Sequence, residues 1–294
     1  MPELPDIVVY AESIERMLAG AELRRILLPS VFVLRTVEPP VAAFAGRRLV
    51  RTTHLGKRVV LEFDGELFAV VHLMIAGRFK WFPPARNVPV NKIVLACFEF
   101  DRGTLALTEA GTRRRASLHL LRGRDALAGH DPGGIDPLTC TLAEFRYRLQ
   151  RENHTLKRTL TDPHSFSGIG NAYSDEILHR ARLSPLALSQ KLDTPEIARL
   201  HGATHAVLSE WLARLREEST SGFPDKVTAF REEMAVHGKF KQPCPACGGP
   251  VQRIVYAANE CNYCPGCQTG GKLLADRALS RLLKSSWPKV LDEG

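Results

Sequence analysis

The sequence has no apolar run approaching the roughly 18 residues of a membrane-spanning helix, so we expect no membrane partner. It shows no basic and apolar leader, which predicts a cytoplasmic protein. Cysteine is scarce outside one segment, because five of the seven cysteines lie between Cys244 and Cys267. This clustering argues against a disulfide scaffold and favours a metal site in a reducing compartment.

What is present is a globular composition with an excess of positive charge. Hydrophobic residues make up 44% of the 294 residues, which is enough for two or three compact units. Lys and Arg number 40 against 32 Asp and Glu, so the net charge is +8. This excess favours a polyanionic partner, although charge bears on association and not on fold.

The N-terminal sequence MPELPD predicts a nucleophile that exists only after processing. Pro2 follows the initiator Met1, and a small residue at that place favours removal of the methionine. The free amine would titrate near pH ~8 and could attack a carbonyl carbon to form an iminium. Glu3 is a candidate acid/base group for the proton transfers. Taken alone, these residues also fit a stiff lead-in to a helix with Pro5 in its first turn.

Hydrophobic periodicity predicts a β-rich first half. The spacing after Pro5 is helical, and Gly20 stands where a C-cap glycine would. Period-two patterns between about residues 22 and 122 predict many short antiparallel strands, with hairpin turns at Asp64–Gly65 and Arg102–Gly103. We therefore expect a β-sandwich behind an N-terminal helix.

The second half is predicted to be helical. Residues 123–137 are rich in Gly, Pro and Asp and predict a linker. Helices are then expected from Thr141, Thr155, Asn171 and Thr194, the first of them with a capping-box signal. The fold class is therefore α+β.

Two CxxC pairs enclose sixteen residues and predict one zinc ion. Four thiolates leave no open coordination position, so the zinc would be structural. The residues between the pairs predict two short strands, hence a β-hairpin finger. Cys261 breaks the spacing; we interpret it as a bystander, with ligand swapping as the alternative. The predicted ligands are Cys244, Cys247, Cys264 and Cys267.

Three further motifs have ordinary interpretations when taken singly. Lys57, in HLGKRVV, could be a solvated surface lysine. His72, in VVHLMIAG, could be a core histidine with one hydrogen bond. Asn171 ends a GIGN turn that could grip a phosphate through backbone N–H groups, or could simply cap a helix.

Together, however, MPELP, LGKR, HLxxxG, GIGNAYSDE and the paired CxxC motifs occur in one order. Over residues 1 to about 270 the chain resembles the formamidopyrimidine-DNA glycosylase and endonuclease VIII family of base-excision repair enzymes. The resemblance implies a helix–two-turns–helix domain between the β-sandwich and the zinc finger, and a monomer that binds damaged duplex DNA in the bacterial nucleoid. The expected segments are 1–128 (catalytic β-sandwich), 138–226 (helix–two-turns–helix), 236–270 (zinc finger) and 271–294 (a helical tail).

The resemblance also implies roles for individual residues. Pro2 would attack C1′ of the damaged nucleoside, which is flipped out of the stack, and Glu3 would protonate the opening sugar. Lys57 would assist β-elimination and hold a phosphate. His72 and Asn171 would contact other phosphates, which position the DNA without reading its sequence.

The finger departs from the family pattern at one place. The family usually has an arginine five residues before the third cysteine, where it grips phosphates and is implicated in δ-elimination. That place is Asn259 here, and an amide cannot form a bidentate guanidinium fork. We expect a weaker phosphate grip and leave δ-elimination open, with Arg253 as a candidate to compensate.

The residues that fill the gap left by a flipped base differ as well. In HLMIAG, Ile75 takes the family's Met position and Met74 comes one residue earlier. The second loop, TEAGTRRRASL, has no Phe. Its three arginines are candidate contacts to the orphan strand or to phosphates, or only a basic loop that raises non-specific affinity. These are Arg113, Arg114 and Arg115. Asp6 replaces the family's usual Glu.

The leading hypothesis is a bifunctional DNA glycosylase and abasic-site lyase that acts through a Pro2 iminium. A lyase acting mainly on abasic sites is the alternative within enzymes. A non-catalytic, zinc-containing damaged-DNA binding protein is the alternative outside them. A zinc-ribbon transcription factor fits the CxxC pairs but leaves the N-terminus unexplained.

Overall fold

The computed structural model describes residues 1–275, except 90, 112, 221, 225–226, 228–230 and 257–258. The chain forms two compact units, residues 1–132 with 211–229 and residues 133–210 with 230–294. The finer division into four segments stays a prediction. The helix predicted for 271–294 lies outside the described residues from residue 276 onward.

The first unit is built on eight antiparallel strands in the order β5-β7-β6-β1-β2-β3-β4-β8. The halves of this order meet at β1 and β2, where Glu22 pairs with Arg48 and Leu23 with Arg47. Both halves contribute to one hydrophobic core, which confirms the predicted sandwich. The strands are β1 (Glu22–Leu27), β2 (Arg47–Leu55), β3 (Arg58–Phe63), β4 (Leu67–His72), β5 (Gly77–Phe82), β6 (Val94–Phe100), β7 (Gly103–Glu109) and β8 (Ser117–Arg122).

Helix α1 (Leu4–Leu18) places the N-terminus on this sandwich. Its apolar stripe is fully buried in the core, and the Thr52 N–H of β2 donates to Glu15 Oε2 at 2.6 Å. Gly20 follows the helix with φ +76°, a conformation that favours glycine. The helix and its glycine end were predicted correctly, so the first residues of the chain are held on a rigid element.

The linker predicted at 123–137 is wrong for its first part. Residues Arg124–Ala128 form a short helix, α2. Leu127 of this helix packs against an apolar cluster on the outer face of β3, β4 and β8. One partly buried leucine in five residues is too short a pattern for periodicity to detect beside so many Gly and Pro residues.

The second unit contains the helices and a two-stranded hairpin. The Thr141–Glu144 capping box is present, with the Glu144 N–H donating to Thr141 Oγ1 at 3.3 Å and the Thr141 N–H to Glu144 Oε2 at 2.8 Å. The predicted hairpin between the CxxC pairs is confirmed. The elements are α3 (Leu142–Gln150), α4 (Leu156–Thr161), α5 (Asn171–Ala181), β9 (Gln252–Tyr256), β10 (Asn259–Tyr263) and α7 (Pro265–Gln268), while α6 (Thr194–Glu218) contributes residues to both units.

Within the described part of the chain, no helix combines the length and the apolar character that crossing a membrane would require.

Candidate active site and metal centre

The N-terminal residues and Lys57 share one site in the first unit. Pro2 is buried, and Glu3 is 2% exposed just ahead of α1. Lys57 is half-buried in the turn between β2 and β3, after Gly56 with φ +57°. The charges of Glu3 and Lys57 both act on the α-amino group of Met1, and the charge of Glu3 acts on Lys57. The structure therefore groups the three predicted catalytic residues.

This site disfavours positive charge on its amines. Burial lowers the pKa of the Met1 α-amino group, Glu3 opposes the shift, and Arg78 adds to it. Burial also lowers the pKa of the Lys57 ammonium group, with Glu3 again opposing and Arg58 contributing. An amine with a lowered pKa is unprotonated more often at neutral pH and is therefore a better nucleophile.

The turn into α1 fixes the acidic part of the site. The Glu3 N–H donates to Asp6 Oδ2 at 2.9 Å, and Asp6 is 2% exposed. A carboxylate three residues into a helix commonly bonds back to the N-cap in this way. Asp6, shorter by one methylene than the family's usual Glu, thus still reaches the backbone of Glu3.

His72 lies at the end of β4, opposite Arg58 of β3. Burial, followed by the charges of Arg58, Lys57 and His119, lowers the pKa of His72 to about 4. The ring is therefore neutral at pH 7. Any phosphate that it contacts would meet a neutral N–H donor and not an imidazolium.

Two further histidines, missed in the sequence, lie on the same face of the sheet as His72. His119 of β8 packs edge-on against His130 with ring centroids 4.7 Å apart. Arg58 Nη1 donates to the His130 carbonyl oxygen at 3.2 Å. Burial is the main cause that lowers the pKa of both rings. Only the register of β4 against β8 brings His119 near His72, so no local motif could have indicated it.

A tight turn between β4 and β5 presents Ile75. The Gly77 N–H donates to the Leu73 carbonyl oxygen at 2.9 Å, and Met74 has φ +53°. A Cβ at Gly77 would clash with that carbonyl group, so glycine is required there. Ile75 is 57% exposed at the tip of the turn, while Met74 is half-buried.

The predicted arginine loop is anchored by a buried acid. Glu109, 1% exposed at the end of β7, accepts the N–H groups of Arg115 and Ala116 at 2.9 and 3.0 Å. The arginine side chains stand in solvent. Glu109 was not predicted from the sequence, and its position at a strand end was the available signal. The exposed residues are Arg113, Arg114 and Arg115.

In the second unit, Asn171 opens helix α5 after the GIG turn. Its Nδ2 donates to the Glu260 carbonyl oxygen of β10 at 2.7 Å, and its own carbonyl oxygen accepts from Lys157 Nζ at 2.6 Å. Gly168 has φ +77°, as the tight turn requires. Asn171 therefore joins the predicted phosphate turn to the finger hairpin.

A buried polar network lies beneath this turn. Lys157 Nζ is 2.5 Å from Asp175 Oδ1. Asp175 Oδ2 lies 2.8 Å from His237 Nδ1 and accepts the Asn262 N–H at 3.1 Å. The partners are up to 87 residues apart along the chain, so they could not be recognised from local sequence.

Glu176, the next residue of α5, holds the segment that leads to the finger. Its carboxylate accepts three backbone N–H groups at 2.8–2.9 Å, those of Ala235, Val236 and His237. Helix α5 thus fixes both strand β10 and the segment before the first CxxC pair.

The four predicted cysteines come together in this unit. Their sulfur atoms all lie within 4.8 Å of one another, which suits the tetrahedral thiolate set of a zinc ion. The Cys244 N–H donates to the Gly249 carbonyl oxygen, and the Gly248 N–H to the Cys244 carbonyl oxygen, both at 2.8 Å. Cys261 is fully buried and does not belong to this group, so the structure gives no support to ligand swapping.

A histidine that was not predicted from the sequence contacts one of these thiols. His179 Nε2, in the last turn of α5, lies 3.2 Å from Cys244 Sγ. Nearby, Gln268 Oε1 accepts the Cys264 N–H at 2.8 Å, and Gln268 Nε2 donates to the Leu183 carbonyl oxygen at 3.0 Å. The cysteine cluster is therefore tied to the C-terminal end of α5.

The hairpin carries Arg253 on strand β9. Its guanidinium carbon lies 4.3 Å from the centre of the Phe240 ring, and Nη1 lies 3.3 Å from Glu260 Oε2. The arginine side chain is still 43% exposed. On the partner strand, the backbone of Asn259 pairs with Tyr256. Arg253 is thus a cation of the hairpin that Phe240 and Glu260 hold in place while its side chain stays accessible to solvent.

Residues in both units match models of one protein family. Residues 1–118 match the formamidopyrimidine-DNA glycosylase N-terminal domain, and residues 134–222 match the H2TH domain of the same enzymes. The formamidopyrimidine-DNA glycosylase of Heliobacterium modesticaldum is 31% identical over 281 residues, covering 91% of this chain and 100% of that protein.

Solved structures give the same result for the fold. The MutM (Fpg) protein of Thermus thermophilus superposes with a TM-score of 0.76 at 29% identity, over 91% of this chain and 98% of that one. The Lactococcus lactis Fpg in complex with DNA containing an abasic site has a TM-score of 0.79 at 21% identity, over 91% and 99%. The chain belongs to the formamidopyrimidine-DNA glycosylase family.

Proposed function

We propose that this chain is a base-excision-repair DNA glycosylase that also cleaves abasic sites by β-elimination. Its substrates would be oxidised or ring-opened bases, and abasic sites, in duplex DNA. Membership of the family indicates the glycosylase. The lyase and its mechanism are supported chiefly by the placement of the N-terminus, where Pro2 and Glu3 are buried and the charges of Glu3 and Lys57 both reach the α-amino group of the preceding Met1.

The nucleophile would be the Pro2 amine, freed by removal of Met1. Pro2 lies between Met1 and Glu3 in the chain, and its side chain is buried. The amine nitrogen would form a bond to C1′ as the glycosidic bond breaks and the base leaves with a proton. Glu3 would then protonate the ring oxygen as the C1′–O bond opens, which leaves an iminium at C1′.

The iminium makes strand cleavage possible. It withdraws electrons from C2′, so a proton can leave C2′ while the 3′-phosphate departs, which is β-elimination. Lys57, held near the amine with its own pKa lowered, would assist this proton transfer and hold a phosphate. Water would then hydrolyse the iminium and restore the free amine.

Residues of both units are candidate DNA contacts. In the first unit, Ile75 stands at the tip of a constrained turn, and three exposed arginines follow Gly111. We propose Ile75 as the residue that enters the gap left by the flipped base. The proposed phosphate or orphan-strand contacts are His72, Arg113, Arg114, Arg115, Asn171 and Asn259.

The finger favours a reaction that stops after β-elimination. Asn259 lacks the charge that a guanidinium would bring to the phosphate beside the lesion. Arg253 is the accessible cation of the same hairpin, but its ion pair with Glu260 offsets part of its charge. We propose that Arg253 supplies a phosphate contact and that the main product carries an unsaturated sugar at its 3′ end.

We propose one structural zinc ion at the four cysteines, since their sulfur atoms all lie within 4.8 Å of one another and four thiolates are a usual ligand set for structural zinc. Zinc would supply folding stability to the finger and would take no part in bond breaking. We take the acting species to be a monomer on nucleoid DNA, a place supported by the bacterial relatives.

Two alternatives remain as outcomes of the test. The altered gap-filling residue and Asn259 favour a lyase that acts mainly on abasic sites. A binding protein without catalysis would hold abasic duplexes without cutting them. Both differ from the bifunctional enzyme in whether, and on which duplex, an iminium forms.

Borohydride trapping distinguishes the three cases. Wild type, Pro2→Gly and the control Pro5→Ala are each incubated with duplexes that carry an abasic site or 8-oxoguanine, and intact mass first establishes whether Met1 is removed. Reduction locks an iminium into a stable protein–DNA adduct. Adducts on both duplexes, lost in Pro2→Gly and kept in Pro5→Ala, are the expected result.

Other outcomes contradict part or all of the proposal. An adduct on the abasic duplex alone would leave a lyase, or a glycosylase for another base. No adduct on either duplex, with tight binding retained, would leave a damage-binding protein. A mature protein that retains Met1 would exclude the Pro2 amine.

A further inference from the structure

The contact between His179 and Cys244 serves neither the proposed chemistry nor the proposed DNA contacts. Nε2 of the histidine lies 3.2 Å from the sulfur atom, and both residues are buried, with 9% and 2% of their surfaces exposed. An apolar side chain of similar size would fill the same space. Packing alone therefore does not require an imidazole beside the thiol, and the contact is a specific polar one.

Such a contact has a clear electrostatic use in a metal-bound site. Four thiolates around one Zn²⁺ carry a net charge of about −2, and buried negative charge requires hydrogen-bond donors. Backbone N–H groups of Gly249 and Cys267 donate to the sulfur atoms of Cys247 and Cys264. Cys244 has His179 beside it, a side-chain donor from outside the finger.

We propose that His179 donates its Nε2–H to the Cys244 thiolate and is a positioning residue of the metal site. The hydrogen bond withdraws electron density from the sulfur atom, lowers the negative charge of the site and slows loss of the metal. The proposal rests on the metal site proposed above and does not depend on glycosylase activity.

The same bond would hold the finger to helix α5 at a second point. At the N-terminal end of the helix, Asn171 Nδ2 donates to the carbonyl oxygen of Glu260 in the hairpin. At the C-terminal end, His179 contacts a metal ligand. The eleven residues of α5 therefore connect the proposed phosphate turn to the metal site.

The test measures metal retention and the electronic state of the thiolates. Three variants are compared with wild type. His179→Phe removes the donor and keeps the ring volume, while His179→Gln keeps an N–H donor. His201→Phe is the control, since His201 Nε2 lies 3.0 Å from the backbone oxygen of Cys140 and not from a metal ligand.

The first readout is the rate of zinc release to a chromogenic chelator. The second is the thiolate-to-metal charge-transfer band after zinc is replaced by cobalt(II). We expect release from His179→Phe to be about 10-fold faster than from wild type. Its charge-transfer band should move to lower energy, because a thiolate without a hydrogen bond gives up electrons more readily. His179→Gln should recover part of both effects, and His201→Phe should show neither.

Several results would overturn the proposal. Unchanged release and an unchanged band in His179→Phe would show that the contact has no influence on the metal. Faster release in both histidine-to-phenylalanine variants, with the band unmoved, would leave only a packing role. Loss of the tetrahedral cobalt bands in His179→Phe would make His179 a ligand. Wild type that contains no zinc would remove the metal site itself.

Discussion

Lysines 57 and 157 stand in opposite situations in the two units. Lys57 is half-buried, and burial lowers the pKa of its ammonium group. Lys157 is buried as well, but Asp175 lies 2.5 Å from it and the Asn171 carbonyl oxygen 2.6 Å. A lysine whose charge is disfavoured is suited to proton transfer, and one that is paired is suited to fixing structure. Under the proposed function, the contrast separates proton transfer in the first unit from positioning in the second.

Lys57→Met offers the sharpest test of this contrast, because it should greatly reduce activity and spare stability. We expect strand cleavage at abasic sites to fall by about 10²–10⁴-fold, the usual contribution of a positioned acid/base group. The melting temperature should stay near that of wild type, since a disfavoured charge is removed. Single-turnover cleavage and thermal unfolding measure the two effects. Lys80→Met, at an exposed position on β5, is the control, and cleavage at the wild-type rate by Lys57→Met would contradict the assignment.

Lys157→Met should show the opposite behaviour. It leaves the Asp175 carboxylate buried without its ion pair, and breaking such a pair costs about 3–5 kcal/mol of unfolding free energy. Urea denaturation measures the loss, and Lys191→Met at an exposed site is the control. Adding Asp175→Asn to Lys157→Met should recover part of the stability. A Lys157→Met protein as stable as wild type would show that the pair is not structural.

In the first unit, His72 should make the largest single contribution to the pH dependence of stability, with His119 and His130 adding to it in the same direction. Its pKa falls to about 4 in the folded chain, so between pH ~6.5 and that value the unfolded chain binds a proton that the folded chain does not. Its contribution to stability is therefore present above pH ~6.5 and is lost as the pH falls. His72→Gln should flatten this slope.

Urea denaturation at pH 7 and pH 5 measures the slope. His205→Gln, at an exposed position on helix α6, is the control and should keep the wild-type slope. Equal slopes in wild type and His72→Gln would show that His72 contributes nothing to the acid sensitivity.

The smallest expected effect concerns the hairpin. Arg253→Gln should weaken DNA binding by about threefold to tenfold and reduce the salt dependence of the binding constant by about one phosphate contact. The effect is modest because the ion pair with Glu260 already offsets part of the charge. Fluorescence anisotropy over a salt series measures it, with Lys191→Gln as a charge-matched control. An unchanged salt slope would remove Arg253 from the interface.

Local signals predicted the framework of the molecule. The apolar spacing of α1, the capping box at Thr141 and Glu144, and the two CxxC pairs each reside in a few neighbouring residues, and all are present. The assigned catalytic and DNA-binding roles stay predictions.

The contacts that the sequence could not predict join residues that are far apart along the chain. Asp175 meets His237 and Asn262 only because α5 packs beside β10 and the segment before the finger. His119 comes near His72 only through strand register. Helix α2 escaped prediction because its one packed leucine leaves no period to detect. Local patterns thus indicate elements, whereas the polar partners that hold a site are set by tertiary structure.

The turn that carries Ile75 has a consequence for the entropy of lesion recognition. A methionine has three rotatable side-chain bonds and can adapt to gaps of different shape, at the cost of freezing them on insertion. Isoleucine is branched at Cβ and nearly fixed at χ1, so it loses less freedom but fits fewer gaps. The backbone of Ile75 is also constrained, because Gly77 and Met74, which adopts a left-handed conformation, fix the turn on either side of it. Under the proposed function, the gap-filling residue Ile75 would be preorganised, and the enzyme would tolerate fewer kinds of opposite base.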